Sequence, residues 1–167
     1  MLRNQKPDDG APALSLADFV MPATEGRPDI LGVFAVSAAI PESRSERYDP
    51  LVAQTLSDRL AEAAAEWLHR NSYPGIRPAV GYPSLPDQLL NLKIADLLPI
   101  ADIGIEMTEN GAMAPSSSVC GLYIARPESR YFMIKGVAAD QLADYARRKG
   151  IDRERIKKAL GRYIIGH

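Results

Sequence analysis

Residues 73–86, Tyr73-Pro74-Gly75-Ile76-Arg77-Pro78-Ala79-Val80-Gly81-Tyr82-Pro83-Ser84-Leu85-Pro86, constrain the fold more than any other stretch of the chain. Four prolines and two glycines within fourteen residues exclude a regular helix and a central strand. Proline offers no amide donor, and glycine is entropically costly in either element. The stretch is therefore a loop of fixed shape, with few conformations to freeze and its backbone groups held ready for a ligand. Arg77 is the only full charge between Arg70 and Asp87, and Tyr82 is the large amphipathic side chain that such a turn can aim outward. A planar guanidinium suits a carboxylate or a phosphate, bound through two parallel hydrogen bonds. Composition alone also fits a plain connector whose arginine caps a nearby carbonyl.

The totals narrow the function classes. A chain of 167 residues, 46% hydrophobic and 25% charged, is long enough for one domain with a real core. A net charge of −1 and the lack of a basic stripe argue against nucleic acid. No apolar run is long enough to cross a bilayer and no signal-peptide stretch opens the chain, so the expected location is the cytoplasm. One cysteine, Cys120, excludes an internal disulfide and reads as a small buried hydrophobe. His69 and His167 are the only histidines, without carboxylates at metal-ligand spacing, so no protein-held metal is expected.

Residues 1–13 read as a disordered lead-in and residues 14–167 as a single domain. Leu14 to Phe19 and Gly32 to Ala38 have the content of strands; the second is apolar on both faces and should be central in its sheet. Asp49-Pro50 opens a helix as N-cap and first residue. Val52, Leu56, Leu60, Ala63, Ala64 and Trp67 recur at helical spacing opposite Gln54, Asp58, Glu62 and Glu66, and the helix is expected to pack its alanine-rich face on the sheet, with the acidic row solvated. Ser84 to Asp87 resembles a capping box before a short helix, and Lys93 to Leu98 continues helical until Pro99. Residues 101–117 read as a short strand and a long loop, in which Glu106 and Glu109 are acid/base candidates only by proximity. Val119 to Ala125 and Arg130 to Val137 read as a hairpin turning at Pro127-Glu128-Ser129. Asp140 is expected to cap a helix that ends at Gly150, where Arg147, Arg148 and Lys149 suit the helix dipole; Asp152 caps the last helix, with Ile151 stapled to Ile156. The fold class is α+β, one antiparallel or mixed twisted β-sheet with helices packed on it.

Arg77-Pro-x-x-Gly81-Tyr82-Pro83 resembles the signature loop of the activation domain of cobalamin-dependent methionine synthase. Further segments match in the family's order: Leu16-Ala17-Asp18-Phe19, Leu31-Gly32-Val33-Phe34-Ala35-Val36, Leu56 to Ala63, Ser118 to Tyr123, Pro127 to Phe132 and Asp144 to Gly150. The resemblance runs from about Leu14 to about Leu160, and its strength lies in several independent segments keeping one order.

It implies a domain that binds S-adenosylmethionine and closes over a cobalamin carried by a partner domain or chain. One electron from flavodoxin or a similar reductase, with the sulfonium methyl, then restores methylcobalamin from cob(II)alamin. Such a domain acts by positioning and supplies no catalytic residue of its own. Matched position by position, Arg77 pairs with the methionyl carboxylate, the backbone around Ala79 and Gly81 lies against adenosine, and Tyr82 faces the corrin. Tyr131 and Phe132 match a tandem aromatic pair of the binding site, with the second hydroxyl missing here. The family's N-terminal helical part, which supplies an acidic residue for the ligand's amino group, has no counterpart, and neither Asp18 nor Asp29 lies in a matching segment. The resemblance thus implies either a reactivation module of methionine synthase acting in trans, or a docking or regulatory module for a corrinoid protein that has lost S-adenosylmethionine. Another chain, or a second copy in a homo-oligomer, could finish the site.

Overall fold

A computed structural model describes residues 1–39, 49–72 and 74–166. Tyr73, at the head of the loop, and His167 lie outside the described residues. The strands and helices are β1 (Leu31–Ser37), α1 (Pro50–Ser72), α2 (Leu90–Leu97), β2 (Glu106–Met107), β3 (Met113–Ala114), β4 (Ser118–Ile124), α3 (Ala139–Lys149) and α4 (Arg153–Leu160). The architecture is α+β with antiparallel pairing. β1 runs against β4 with Phe34 opposite Gly121, and β2 pairs with β3 in a separate small ladder.

β4 holds the middle, because the proline-rich loop occupies its other edge. Ile76 and Ile124 exchange both backbone hydrogen bonds, at 3.1 and 3.0 Å; Leu122 N–H donates to the Pro78 carbonyl at 3.0 Å, and Val80 N–H to the Cys120 carbonyl at 2.9 Å. Pro78 lacks a donor but still presents its carbonyl, so the loop pairs as an irregular edge rather than as a regular strand. Gly121 makes this approach possible, since a Cβ there would stand 2.5 Å from the Pro78 carbonyl oxygen and 2.8 Å from the Ala79 Cα.

The expected hairpin is corrected by the same fact. With β1 on one edge of β4 and the loop on the other, residues 130–137 have no edge to join. They run extended instead, with Ile134 N–H donating to the Pro83 carbonyl and Val137 N–H to the Tyr163 carbonyl. Ile134 and Val137 enter a core formed with Leu89, Leu142, Tyr145, Ile156 and Leu160. β1, expected to be central, pairs only with β4 among the described residues.

Asp49 and Pro50 open α1 as expected, the Asp49 carboxylate accepting from Leu51 N–H at 2.8 Å. The buried face is alanine-rich as expected, but it excludes the large apolar residues that were grouped with it. Ala53, Ser57, Ala61 and Ala65 are buried, whereas Val52, Leu56, Leu60 and Trp67 are exposed. Phe34 and Tyr123 rise from the sheet to meet Ala65, and large rings on the sheet require small residues on the helix.

Four further expectations are revised. Leu16–Phe19 is a 3-10 turn rather than a strand, because Ser15 and Asp18 form a reciprocal capping box. The lead-in is packed at its start: Leu2 sits in the core, and the Asn4 carboxamide oxygen accepts from Lys135 N–H at 2.9 Å. The N-cap of α2 is Leu89, whose N–H is met by Asp87, so Ser84 does not cap. Asp140 lies within the first turn of α3, not at its cap. Asp152 does cap α4, accepting from Glu154 and Arg155 N–H groups, and Gly150 ends α3 in the left-handed region at φ 64°.

Candidate functional site

Loop, helix and the extended 130–137 segment meet at a cleft of about 380 Å³, lined by Glu62 from α1, by Arg77, Ala79 and Tyr82 from the loop, and by Tyr131 and Phe132. Each part is placed by an interaction described above or by one local contact. The Arg77 N–H donates to the Tyr131 hydroxyl at 2.8 Å, tying loop to segment. The Tyr82 hydroxyl donates to Glu62 Oε1, tying loop to helix. That bond, more than burial, pushes the Tyr82 phenol up to about 12.

The Arg77 side chain is only 12% exposed and lies 5.5 Å over the Phe34 ring. Its terminal nitrogen stands 3.6 Å from Glu62 Oε2 and 3.8 Å from Glu66 Oε2, too far for good hydrogen bonds. Its Nε is buried with no hydrogen-bond partner among the described residues. Glu66 is drawn the other way by Arg70, whose Nε donates to it at 2.8 Å and holds its carboxyl below the usual carboxylate range. A buried guanidinium with incomplete hydrogen bonding can accept a carboxylate without first breaking a tight pair.

Five of the six residues expected at the site come together here: Arg77, Ala79, Tyr82, Tyr131 and Phe132. Gly81 does not. It lines a separate hollow with Pro86, Gln88 and Tyr163, and its part is conformational: at φ +88° its N–H donates to the Leu85 carbonyl, turning the chain so that Tyr82 leaves the loop toward α1. Phe132 forms cleft wall and core together, 6.5 Å from Phe19. Sequence reasoning missed Glu62, placing it on a solvated face. The only signal was its i, i+4 spacing to Glu66, which put two carboxylates on one flank of α1.

The remaining candidates lie elsewhere. Asp18 pairs with Arg3 and Asp29 with Arg126, both away from the cleft. Glu106 and Glu109 are exposed and do not line it. Burial pushes the Cys120 thiol up to about 11, so it stays protonated and unreactive near neutral pH. On the far side of the Glu62–Tyr82 pair lies a larger cavity of about 570 Å³, reached by Arg59 and Ser116. Its size is not matched by an unpaired buried charge, and the chemistry concentrates around Arg77.

Two overlapping segments, residues 1–72 and 68–150, match the family model described as "Vitamin B12 dependent methionine synthase, activation domain". The fold is similar to a solved structure described as the MetH reactivation domain bound to AdoHcy, with a TM-score of 0.86 and 34% identity. That match covers 99% of this chain and 61% of the solved one, so the present chain spans under two thirds of that relative. By the extent of the family match, the chain belongs to the vitamin B12-dependent methionine synthase activation domain family.

Proposed function

We propose that the chain binds S-adenosylmethionine in the Arg77 cleft and presents its methyl group to a cobalamin carried by a separate partner, for reductive remethylation of cob(II)alamin in methionine biosynthesis. The observation that carries this reading is the Arg77 guanidinium, 12% exposed, its nearest carboxylates at 3.6 and 3.8 Å and its Nε unpartnered among the described residues. An amino-acid carboxylate would complete its hydrogen bonding. The similarity to a reactivation domain whose solved structure holds AdoHcy, the demethylated product, supports the choice of ligand.

In this reading Arg77 holds the carboxylate, and the Glu62 and Glu66 carboxylates offset the positive charge of the ammonium and sulfonium groups. The backbone from Pro78 to Ala79 forms the adenosine wall, with Phe132 as an apolar surface and Tyr131 fixing the Arg77 backbone. Tyr82, half-exposed at the mouth, faces the corrin. Cobalamin on its partner supplies the methyl-accepting cobalt, and flavodoxin or a similar reductase supplies the electron. The chain acts as one domain in the cytoplasm and contributes alignment, which is worth most when the reacting atoms are held close. A second reading, a docking or regulatory module for a corrinoid protein, is favoured by one fact: Glu62 and Glu66 already stand 3.6 and 3.8 Å from the Arg77 guanidinium and offset its charge without a ligand.

A reconstituted assay separates the two. The chain is mixed with a cobalamin-binding domain in the cob(II)alamin state, reduced flavodoxin and S-adenosylmethionine, and loss of cob(II)alamin is followed by visible absorption. The proposal expects remethylation that requires the chain and disappears with Arg77→Met. Association with the cobalamin domain that neither needs S-adenosylmethionine nor yields methylcobalamin would establish the docking reading instead.

A further inference from the structure

A largely buried guanidinium with two carboxylates within reach ordinarily closes on one of them through two parallel hydrogen bonds. Arg77 does not, and the reason lies in what else those carboxylates hold. Glu62, Glu66 and Arg70 follow one another at i, i+4 and i+8 along one flank of α1. Glu62 gives Oε1 to the Tyr82 hydroxyl and leaves Oε2 at 3.6 Å from Arg77. Glu66 gives Oε1 to Arg70 Nε at 2.8 Å and leaves Oε2 at 3.8 Å from Arg77. Each carboxylate is drawn off Arg77 by a second partner.

The two restraints differ in kind. Tyr82 lines the cleft and belongs to the site itself, whereas Arg70 does not line it and its side chain is 76% exposed. Arg70 therefore bears on the cleft through Glu66. Glutamate four residues before arginine is the favourable order on a helix, and Arg70 lies in the last turn of α1, where the dipole favours a cation. The hydrogen bond from Arg70 also does more than the charge of Arg77 to hold the Glu66 carboxyl below its usual range.

We infer that Arg70 is a positioning residue for the cleft: by holding Glu66 it keeps Arg77 from closing on that carboxylate and leaves it open to the carboxylate of a ligand. The inference rests on the reading that this ligand is S-adenosylmethionine. Without Arg70, Glu66 turns onto Arg77, and an incoming carboxylate has to displace it. The sign of the effect is diagnostic. S-adenosylmethionine sets one carboxylate against an ammonium and a sulfonium, so loss of a nearby positive charge would by itself tighten binding. Release of Glu66 loosens it.

The test is calorimetric titration of the folded chain with S-adenosylmethionine. Arg70→Met is expected to weaken binding about two- to threefold, the scale of an exposed i, i+4 pair, and Arg70→Glu, which repels Glu66 toward Arg77, roughly fivefold. In a Glu66→Gln background neither substitution should weaken binding further. A pair that only braced the helix would move the unfolding midpoint and leave affinity alone. A second measurement needs no ligand: Arg77→Met should lower the urea midpoint more in the Arg70→Met chain than in the native one, because Arg77 has by then taken over Glu66. Affinity unchanged or raised in both Arg70 variants, or lowered equally with and without the Glu66 carboxylate, would overturn the inference and leave S-adenosylmethionine binding in place. A native chain that takes up no S-adenosylmethionine would overturn the ligand reading instead, and the unfolding comparison then decides on Arg70: an equal Arg77→Met loss in both backgrounds overturns its hold on Glu66, and a larger loss without Arg70 sustains it.

Discussion

Two clusters in this molecule contain the same three kinds of group and use them in opposite ways. In one, Asp87 is fully buried and accepts from the Tyr145 hydroxyl at 2.7 Å, from Lys149 Nζ at 2.6 Å and from Leu89 N–H at 3.0 Å. In the other, Arg77, Tyr82 and the two carboxylates Glu62 and Glu66 form one hydrogen bond and two loose ion pairs and leave an Nε unpartnered among the described residues, beside an open cleft. The first cluster is closed: it pins α3 to the start of α2, and burial together with Asp87 pushes the Tyr145 phenol far above its ordinary range. The second is incomplete. Tight pairing of a buried charge serves the fold, and slack pairing leaves interaction energy to be realised with a ligand.

Lys149→Ala is the variant that would separate the clusters most. It abandons the Asp87 carboxylate inside the protein and is expected to cost about 3–5 kcal/mol in urea unfolding. Arg77→Met, which keeps the apolar stem, should cost about 1 kcal/mol or less, because its ion pairs are long and partly solvated. Equal losses in the two variants would erase the distinction.

Next in size is Gly121→Ala, which forces the loop off β4. An expected loss of about 1–3 kcal/mol in thermal or urea unfolding follows from overpacking against the Pro78 carbonyl. The Asp87 cluster, built on other elements, should keep its hydrogen bonds, so the Tyr145 environment read by near-ultraviolet dichroism stays native while the cleft is disturbed.

How much of this was legible in the sequence depends on the distance over which each signal acts. The caps at Asp49 and Asp152, the Gly150 stop and the irregular, non-helical path of residues 74–86 are local, and the residues that make them are enough to read them. The residues gathered at Arg77 came from the family resemblance, and five of the six meet in one cleft. The failures are tertiary. Val119 to Ala125 and Arg130 to Val137 have hairpin chemistry, but nothing local says that a loop 40 residues upstream has taken the edge of β4. The apolar period of α1 was visible, yet periodicity cannot tell which of two adjacent faces meets the sheet, and Phe34 and Tyr123 decided for the alanines. Glu62 was passed over for the same reason: its neighbours on its own helix are polar, and its partners arrive from the loop.

A smaller effect tests how the cleft is tied together. Tyr131→Phe removes the acceptor for the Arg77 N–H. About 0.5–1.5 kcal/mol of stability should be lost, with a few-fold weaker hold on any ligand of Arg77, measured by unfolding and by titration.

The smallest is a pH effect. A Tyr82 phenol raised from its ordinary 10 to about 12 by its bond to Glu62 contributes stability that is complete below pH 10 and is lost as pH rises through 12. Ultraviolet titration should therefore show a tyrosine besides Tyr145 ionising late, and that one returning toward its ordinary value in Glu62→Gln.

The most direct test of the account is calorimetric titration of the chain with S-adenosylmethionine, run beside Arg77→Met. The account predicts micromolar binding by the native chain, weakened at least about tenfold in a variant whose unfolding curve is nearly unchanged. A folded native chain that takes up no S-adenosylmethionine, or a variant that binds as tightly as the native chain, would contradict it.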